Sequence, residues 1–394
     1  MGVKAVKCVK QNYDARAELL AAMEQFRGMV NHAIAMGLER NITSRFKLSN
    51  AVYGELHNGL HTHYILGAVE KATAILRNYR KTLRKANVKG STVRVPYVRR
   101  AFLSLDNQSY RIIDGVLRIP TRPHHFIEIP LNNYTLRVLS QPGIRTGSVT
   151  LTAFTIVVSF SKESIPIEAA LPVGIDRNLE NVTAFDGEAV VYDLSPIQKI
   201  QQQSRGTVSH FKRNDVRVRR KIASKYGRIR KNRSQWILNN VSKRIIERAK
   251  ERKECVILED IKDIRSMYRK GNRQGRDSRF RMNGWAYGEI ERQIKYKSAW
   301  EGVPVHNVEA GGTSSLCAVC GSKIYPNSAD RTVFCKHCRT TVDRDVNASI
   351  NIFKRGMRFV PVGPAGEAVK WNPDVPCAPM VIHGADAGQV LNRV

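Results

Sequence analysis

Acidic residues are in short supply in this chain. Its 394 residues include 34 Asp and Glu against 65 Lys and Arg, leaving a net charge of +31 and a pI near 10.2. Long apolar runs are missing as well. Nothing approaches the roughly 18 residues of a spanning helix, and the longest candidate, Leu151 to Phe160, carries three hydroxyl residues and reads as a strand. The opening Met1-Gly-Val-Lys-Ala-Val-Lys is too polar for a signal peptide. No low-complexity tract occurs, and nothing repeats except a pair of CxxC knuckles. Cysteine is sparse outside them, with Cys8, Cys255 and Cys377 as scattered single thiols. That speaks against a disulfide framework and fits a reducing, cytoplasmic setting. So large an excess of positive charge calls for a polyanion. With no membrane segment in view, the expected partner is nucleic acid. The length implies about two to four domains, at roughly 100–200 residues each.

The apolar pattern changes period along the chain. After a strand at Val3 to Val9, Leu19, Met23, Phe26, Val30, Ala33 and Gly37 form a helical stripe; Ile65, Val69, Ala72, Leu76, Tyr79 and Leu83 form another. Both read as helix–helix packing. Between Arg77 and Arg100 stand nine basic residues and no acid, a phosphate-contact surface whose candidates are Arg80, Lys81, Arg84 and Lys85. Short strands follow from about Val93 to Phe160, including a hairpin about Asp114-Gly115 and pieces at Phe126 to Ile129, Leu136 to Leu139 and Val149 to Leu151. This reads as a β-barrel, completed by the first strand and carrying the helices as an insertion. From Val173 comes a three-strand meander, then long helices. Lys212 to Arg233 holds 11 basic residues against the single acid Asp215; Arg217, Arg220, Lys221, Arg228 and Arg230 are its contact candidates. A buried strand at Cys255 to Asp260, a basic loop from Lys262 to Arg281, a helix from Trp285 to Trp300 and a strand at Val303 to Val308 complete the order of a ribonuclease-H-like α/β fold. The tail at 356–394 has five Pro and no periodicity and reads as disordered.

The chemistry concentrates near the C-terminus. Cys317-Ala-Val-Cys320 and Cys335-Lys-His-Cys338 are separated by 14 residues, the spacing of a four-thiolate zinc ribbon. Four thiolates fill the tetrahedral positions of one Zn²⁺, so the ion is structural, and His306 and His337 are surface residues rather than ligands. A redox pair would need only one CxxC. Immediately after the ribbon, Asp343 and Asp345 open an apolar helix. Upstream, Asp176 and Glu259 each end a short apolar strand. Parallel neighbouring strands would bring both to one sheet edge, and a helix acid would supply the third ligand of a Mg²⁺ site for phosphodiester hydrolysis. Either Asp343 or Asp345 could serve, the other acting as helix cap.

These residues carry a resemblance. Gly174-Ile-Asp176, Val256-Ile-Leu-Glu259-Asp260, Tyr296-Lys-Ser-Ala-Trp300-Glu-Gly-Val-Pro304, Thr313-Ser-Ser-Leu-Cys317 and Asp343-Arg-Asp345-Val-Asn347-Ala together resemble the TnpB family. Its members are transposon-encoded, RNA-guided DNA endonucleases related to compact type V CRISPR effectors. The resemblance implies Asp176, Glu259 and Asp345 as catalytic ligands of two Mg²⁺ ions, and the four cysteines as ligands of one Zn²⁺. It implies a RuvC-like nuclease domain at 171–315 and 340–355 with the zinc ribbon, a target-nucleic-acid-binding insertion, at 316–339. A wedge-type β-barrel is implied at 1–10 and 93–170, with a helical recognition insertion at 11–92. The partners would be a guide RNA, from a transposon end or of CRISPR type, and double-stranded target DNA beside a short motif. The protein would be nucleoid-associated when bound to DNA, as a monomer or homodimer on one RNA. Alternatives are a CRISPR effector of the same fold or a zinc-ribbon repressor without catalysis; the intact acid trio speaks against the latter. Two features depart from the family pattern: Arg177-Asn178 replaces a small or apolar pair, and Ser349 stands where alanine is frequent.

Overall fold

In a computed structural model, residues 3–56, 60–88, 92–122, 124–211, 215–262, 264–268, 273–325, 330–360 and 380–382 are described. Lys89, Lys212, Arg213, Cys377 and the tail segments 361–379 and 383–394 lie outside them. The chain forms two compact units, Lys4–Glu163 and Ser164–Val394, the second including the first three residues. Among the described residues no helix is long and apolar enough to cross a membrane.

In the first unit, strand β1 (Val3–Asn12) leads into helix α1 (Ala17–Glu39), short α2 (Arg45–Val52) and α3 (His63–Val88). The expected stripe of α1 is its buried face, from Leu19 through Gly37, and α3 buries Ile65, Val69, Ala72 and Leu76. Each fully buried Leu, Ile or Phe stabilises the unit by about 1.5–3 kcal/mol. Gly37 sits where a β-carbon would collide with Leu76, so the two helices approach closely there. Helix α2 buries only Leu48 and Val52, too few positions to produce a period.

Strands β2 (Leu103–Leu105), β3 (Arg111–Ile113), β4 (Val116–Arg122) and β5 (His125–Pro130), helix α4 (Asn133–Leu139), then β6 (Arg145–Leu151) and β7 (Thr155–Ser164) complete the unit. The strands form a four-stranded sheet, β1-β7-β6-β2, and a three-stranded one, β3-β4-β5. Strand β1 joins the later strands as expected. Among the described residues no ladder closes the two sheets into one ring. The Asp114-Gly115 turn has φ of 50° and 77°, the left-handed pair that a two-residue hairpin requires. Leu136 to Leu139, expected as a strand, belongs to α4. The Asn132 side chain accepts from the Thr135 amide at 2.8 Å, and this N-cap starts a helix where four residues alone were ambiguous.

The second unit is built on the sheet order β12-β11-β8-β9-β10-β15. Strands β8 (Leu171–Arg177), β9 (Asn181–Phe185) and β10 (Ala189–Asp193) form the antiparallel meander. Helices α5 (Ser195–Ser209) and α6 (Val216–Glu251) lead to β11 (Glu254–Asp260), parallel beside β8. Helices α7 (Arg276–Asn283) and α8 (Tyr287–Glu301) precede β12 (Val305–Glu309), parallel beside β11. Strands β13 (Thr332–Phe334) and β14 (Thr341–Asp343) and helix α9 (Arg344–Gly356) follow, and β15 (Met380–Ile382) runs parallel to β10 at the sheet edge. This is the expected ribonuclease-H-like order. Two expectations change. The segment read as a basic loop contains α7, which buries no residue and so shows no stripe. The tail read as disordered contributes β15, which satisfies the open edge of β10. The central strands are apolar throughout because both faces are covered. Val173, Ile175, Val256 and Leu258 pack with Ile197, Val241 and Ile290 of α5, α6 and α8; on the other face Ile257 packs with Ile352 of α9.

Where β11 begins, Glu254 is 1% exposed and close to Asp186, whose carboxylate accepts from Arg248 at 2.9 Å and Arg252 at 3.1 Å. Burial, and next the charge of Asp186, push Glu254 up to about 8 from 4.5. The folded state therefore holds a proton that the unfolded chain releases above 4.5, and this residue's contribution to stability falls from pH 4.5 to about 8. Glu254→Gln removes that decline, worth on the order of 3 kcal/mol across the window. Denaturant unfolding at pH 5 to 8 checks this: equal slopes in both proteins would show that Glu254 folds ionised.

Candidate functional site

The parallel register pairs Ile175 of β8 with Leu258 of β11. One step on, Asp176 and Glu259 stand side by side at the ends of adjacent strands, on the face that α9 covers. The helix lies directly on β8 because Gly174 has no side chain: a β-carbon there would collide with the Ser349 carbonyl and the Phe353 amide. Its first turn thereby reaches the strand ends. Asp343 caps the helix, accepting from the amides of Asp345 at 2.9 Å and Val346 at 3.1 Å. Asp345, 4% exposed, is the acid whose charge acts on Asp176.

The charges of Glu259 and Asp345 both act against ionisation of Asp176. Asp176 is pushed up to about 8, by burial first and then by Glu259 and Asp345, against an Asn178 amide at 2.8 Å. Burial also raises Glu259, opposed by a hydrogen bond from Thr313 and the charges of Arg177 and Arg355. Asp345 accepts from Asn181 at 2.9 Å and pairs with Arg331 at 3.0 Å and Arg344 at 3.4 Å. Arg177, 1% exposed, is not a ligand but a brace. It donates to the Glu291 carboxylate at 2.7 Å, the Tyr287 carbonyl at 3.2 Å and the Glu259 carbonyl, tying the ends of β8 and β11 to α8. Asn181, Thr313 and Arg331 had no sequence signal, because their partners are set by the fold. A cleft of about 710 Å³ opens beside Asp345, lined also by Asn181, Arg281, Trp285, Arg331 and Arg344. Asp176 and Glu259 are not in its lining. The Trp285 indole donates to the Asn178 carbonyl at 2.9 Å.

The four cysteines converge as their spacing predicts, with their sulfurs within 4.8 Å of one another. They are the one such tight group among the described residues; the acids are spaced more widely. Each knuckle closes a turn, Gly321 N–H to the Cys317 carbonyl and Arg339 N–H to the Cys335 carbonyl, both 2.9 Å. Gly321 and Arg339 take left-handed φ of 74° and 59°. Hydrogen bonds from Ser322 bring Cys320 down to about 5, and Thr340 lowers Cys338, while burial raises Cys317. A soft four-thiolate set of this kind fits zinc. His306 stacks on Phe359 and His337 is exposed; neither belongs to the cluster. The ribbon is fastened to α9 through Asn347, whose side chain accepts from Ala318 N at 2.8 Å and donates to the Leu316 carbonyl at 2.9 Å. Asn351 donates to Leu316 and Thr313 carbonyls, each at 2.8 Å.

Among the basic candidates, Arg80 is engaged internally, donating to Thr43 at 3.1 Å and to Asn41. Lys81, Arg84 and Lys85 are exposed. Helix α6 buries nothing before Ile237, so its first half presents Arg217, Arg220, Lys221, Arg228 and Arg230 to solvent. Asp215, the lone acid there, accepts from Val218 N at 2.9 Å as N-cap. Cations crowding a helix N-terminus oppose its dipole, which an ordinary solvated face would avoid.

Comparison with known proteins bears on the family and the fold. The Cas12f1-like TNB domain model matches residues 287–352, and the model of the uncharacterised MJ0013 family matches 22–120. TnpB-like protein MJ0751 of Methanocaldococcus jannaschii is 28% identical over 254 residues, 61% of this chain and 90% of that protein. The CRISPR-associated endodeoxyribonuclease Cas12f2 of a Micrarchaeota archaeon is 21% identical over 170 residues, 41% of this chain and 31% of that protein. In a Cas12f1–sgRNA–target DNA complex, the protein superposes with a TM-score of 0.53 at 16% identity, over 86% of this chain and 83% of that one. The last likeness establishes a Cas12f-like fold. In sequence and fold the chain is thus similar to TnpB-like proteins and to the compact type V effectors.

Proposed function

We propose that this protein is an RNA-guided, Mg²⁺-dependent DNA endonuclease whose catalytic residues are Asp176, Glu259 and Asp345. The observation that carries the reading is their convergence on one sheet face, beneath a helix anchored by the four-cysteine ribbon. Hard carboxylate oxygens in a buried group of three acids suit divalent cations of the Mg²⁺ kind. Asp176, Glu259 and Asp345 would hold such ions, which would supply activation of a water and stabilisation of the leaving oxygen. The chain's own part is positional. Arg177 fixes the strand ends, Asn178 and Asn181 orient Asp176 and Asp345, and Arg331 and Arg344 present cations where a phosphate chain would enter the cleft. The RuvC-like domain is assigned to 171–315 and 340–355, with zinc held by Cys317, Cys320, Cys335 and Cys338. The names of the relatives support the partners, a guide RNA and a DNA target. The test is cleavage of a plasmid that matches the RNA co-purifying with the protein, beside a randomised flanking motif. Cutting that needs both the RNA and Mg²⁺ is expected; RNA-independent cutting, or none with any divalent ion, would overturn the proposal.

The basic half of α6 carries its own prediction. Replacing Arg217, Arg220 and Lys221 together by Ala removes three phosphate contacts. It should flatten the slope of log K against log salt by roughly two to three, at about 0.9 per duplex contact or 0.7 per single-strand contact. The loss should be equal across guide sequences, since phosphates carry no base identity. An unchanged slope in a filter-binding titration would make this face a solvated one.

A further inference from the structure

The unit Lys4–Glu163 holds a concentration of positive charge separate from the helix candidates already named. A cleft of about 380 Å³ opens on the sheet β3-β4-β5, lined by Arg111, Arg118, Arg122, His61, His124 and Phe126, among others, and by no acid. Arg111 and Arg118 are direct cross-strand partners, a like-charge pairing that works against the sheet. Glu128 answers Arg118 at 2.6 Å. Arg111 and Arg122 have no acidic partner among the described residues. His124 takes a left-handed φ of 61° in the turn from β4 to β5, an unusual cost for a non-glycine residue. Phe126 is 53% exposed although it is a large apolar ring. The floor is held firmly: the Tyr110 hydroxyl donates to the Gly147 carbonyl at 2.7 Å, and that of Tyr64 to the Pro120 carbonyl.

We propose that this cleft seats one phosphodiester-linked, unpaired nucleotide. Arg111 and Arg122 take the flanking phosphates, and the base lies against Phe126. The volume falls in the range of roughly 300–1,000 Å³ usual for small-ligand sites. An exposed aromatic ring beside unpaired guanidinium groups is the arrangement that stacks a base and tracks its backbone. An acidic peptide would engage the arginines but leave the ring without its flat partner. The inference rests on the nucleic-acid partnership proposed above and names where in this unit a strand is gripped.

The test uses the full chain and two binding measurements. One takes the RNA that co-purifies with the protein; the other takes single-stranded and duplex target DNA added to the protein–RNA complex. The Arg111→Gln/Arg122→Gln variant should lower the salt slope by about 1.4, or about 0.7 per single-strand contact. The corresponding Lys variant should restore it. Phe126→Ala should weaken binding about tenfold or more with the slope unchanged. Losses in the first measurement assign the nucleotide to RNA, and losses confined to the second assign it to DNA. All of these side chains are exposed, so thermal melts should match the parent protein. If the parent binds and cuts while both variants bind as it does, the cleft proposal fails and the nuclease reading stands. If the parent binds no nucleic acid, both fail.

Discussion

Asp345→Ala will abolish guided cleavage while Asp343→Ala will not, although the two residues stand two positions apart in the same short motif. Asp345 is buried beside Asp176 and is held by Asn181 and Arg331. Asp343 spends its carboxylate on two backbone amides. In the proposed metal site, removing one carboxylate would take away both ion binding and the electrostatic stabilisation it supplies. A loss on the order of 10²–10³-fold or more is expected. Asp176→Ala and Glu259→Ala should match it. Losing the cap costs about 1 kcal/mol of helix stability, visible in a melt and scarcely in the rate. Nicking of supercoiled plasmid by excess protein–RNA complex separates these outcomes, with DNA binding retained in all four variants. Near-normal cutting by Asp345→Ala would remove it from the site.

Cys335→Ser, or stripping of the metal by a strong chelator, should inactivate the protein without touching any acid. Binding free energy at a four-thiolate site is folding free energy, about 10–16 kcal/mol in zinc-finger peptides. The consequence reaches the acids because the first knuckle is tied to α9 through Ala318 and Asn347, two residues from Asp345. One zinc per chain by elemental analysis is expected. In the variant, amide exchange should become fast across residues 313–325 and at the start of α9. A purified, active protein with no zinc would overturn both the metal assignment and this coupling.

Local signals were legible in proportion to how local their causes are. The CxxC spacing, the Asp114-Gly115 turn and the stripe of α1 each depend on neighbours within a few residues, and the structure reproduces all three. Leu136 to Leu139 misled because four residues fit either period, and the deciding Asn132 cap lies outside them. Helix α7 and strand β15 were missed for opposite reasons: one buries nothing, and the other pairs with a strand 190 residues upstream, β10.

By itself the sequence determined the residue types, the metal chemistry they permit, the net charge of +31, and which strands are covered on both faces. Tertiary structure alone decided which acids meet. Asn181 and Asp345 are 164 residues apart and 2.9 Å from each other; Arg177 braces Glu259 from 82 positions away. No period or spacing encodes such contacts. They follow from β8 and β11 pairing in register and from α9 settling onto Gly174, where the absence of one β-carbon lets a helix backbone touch a strand and carry its first turn to the sheet edge.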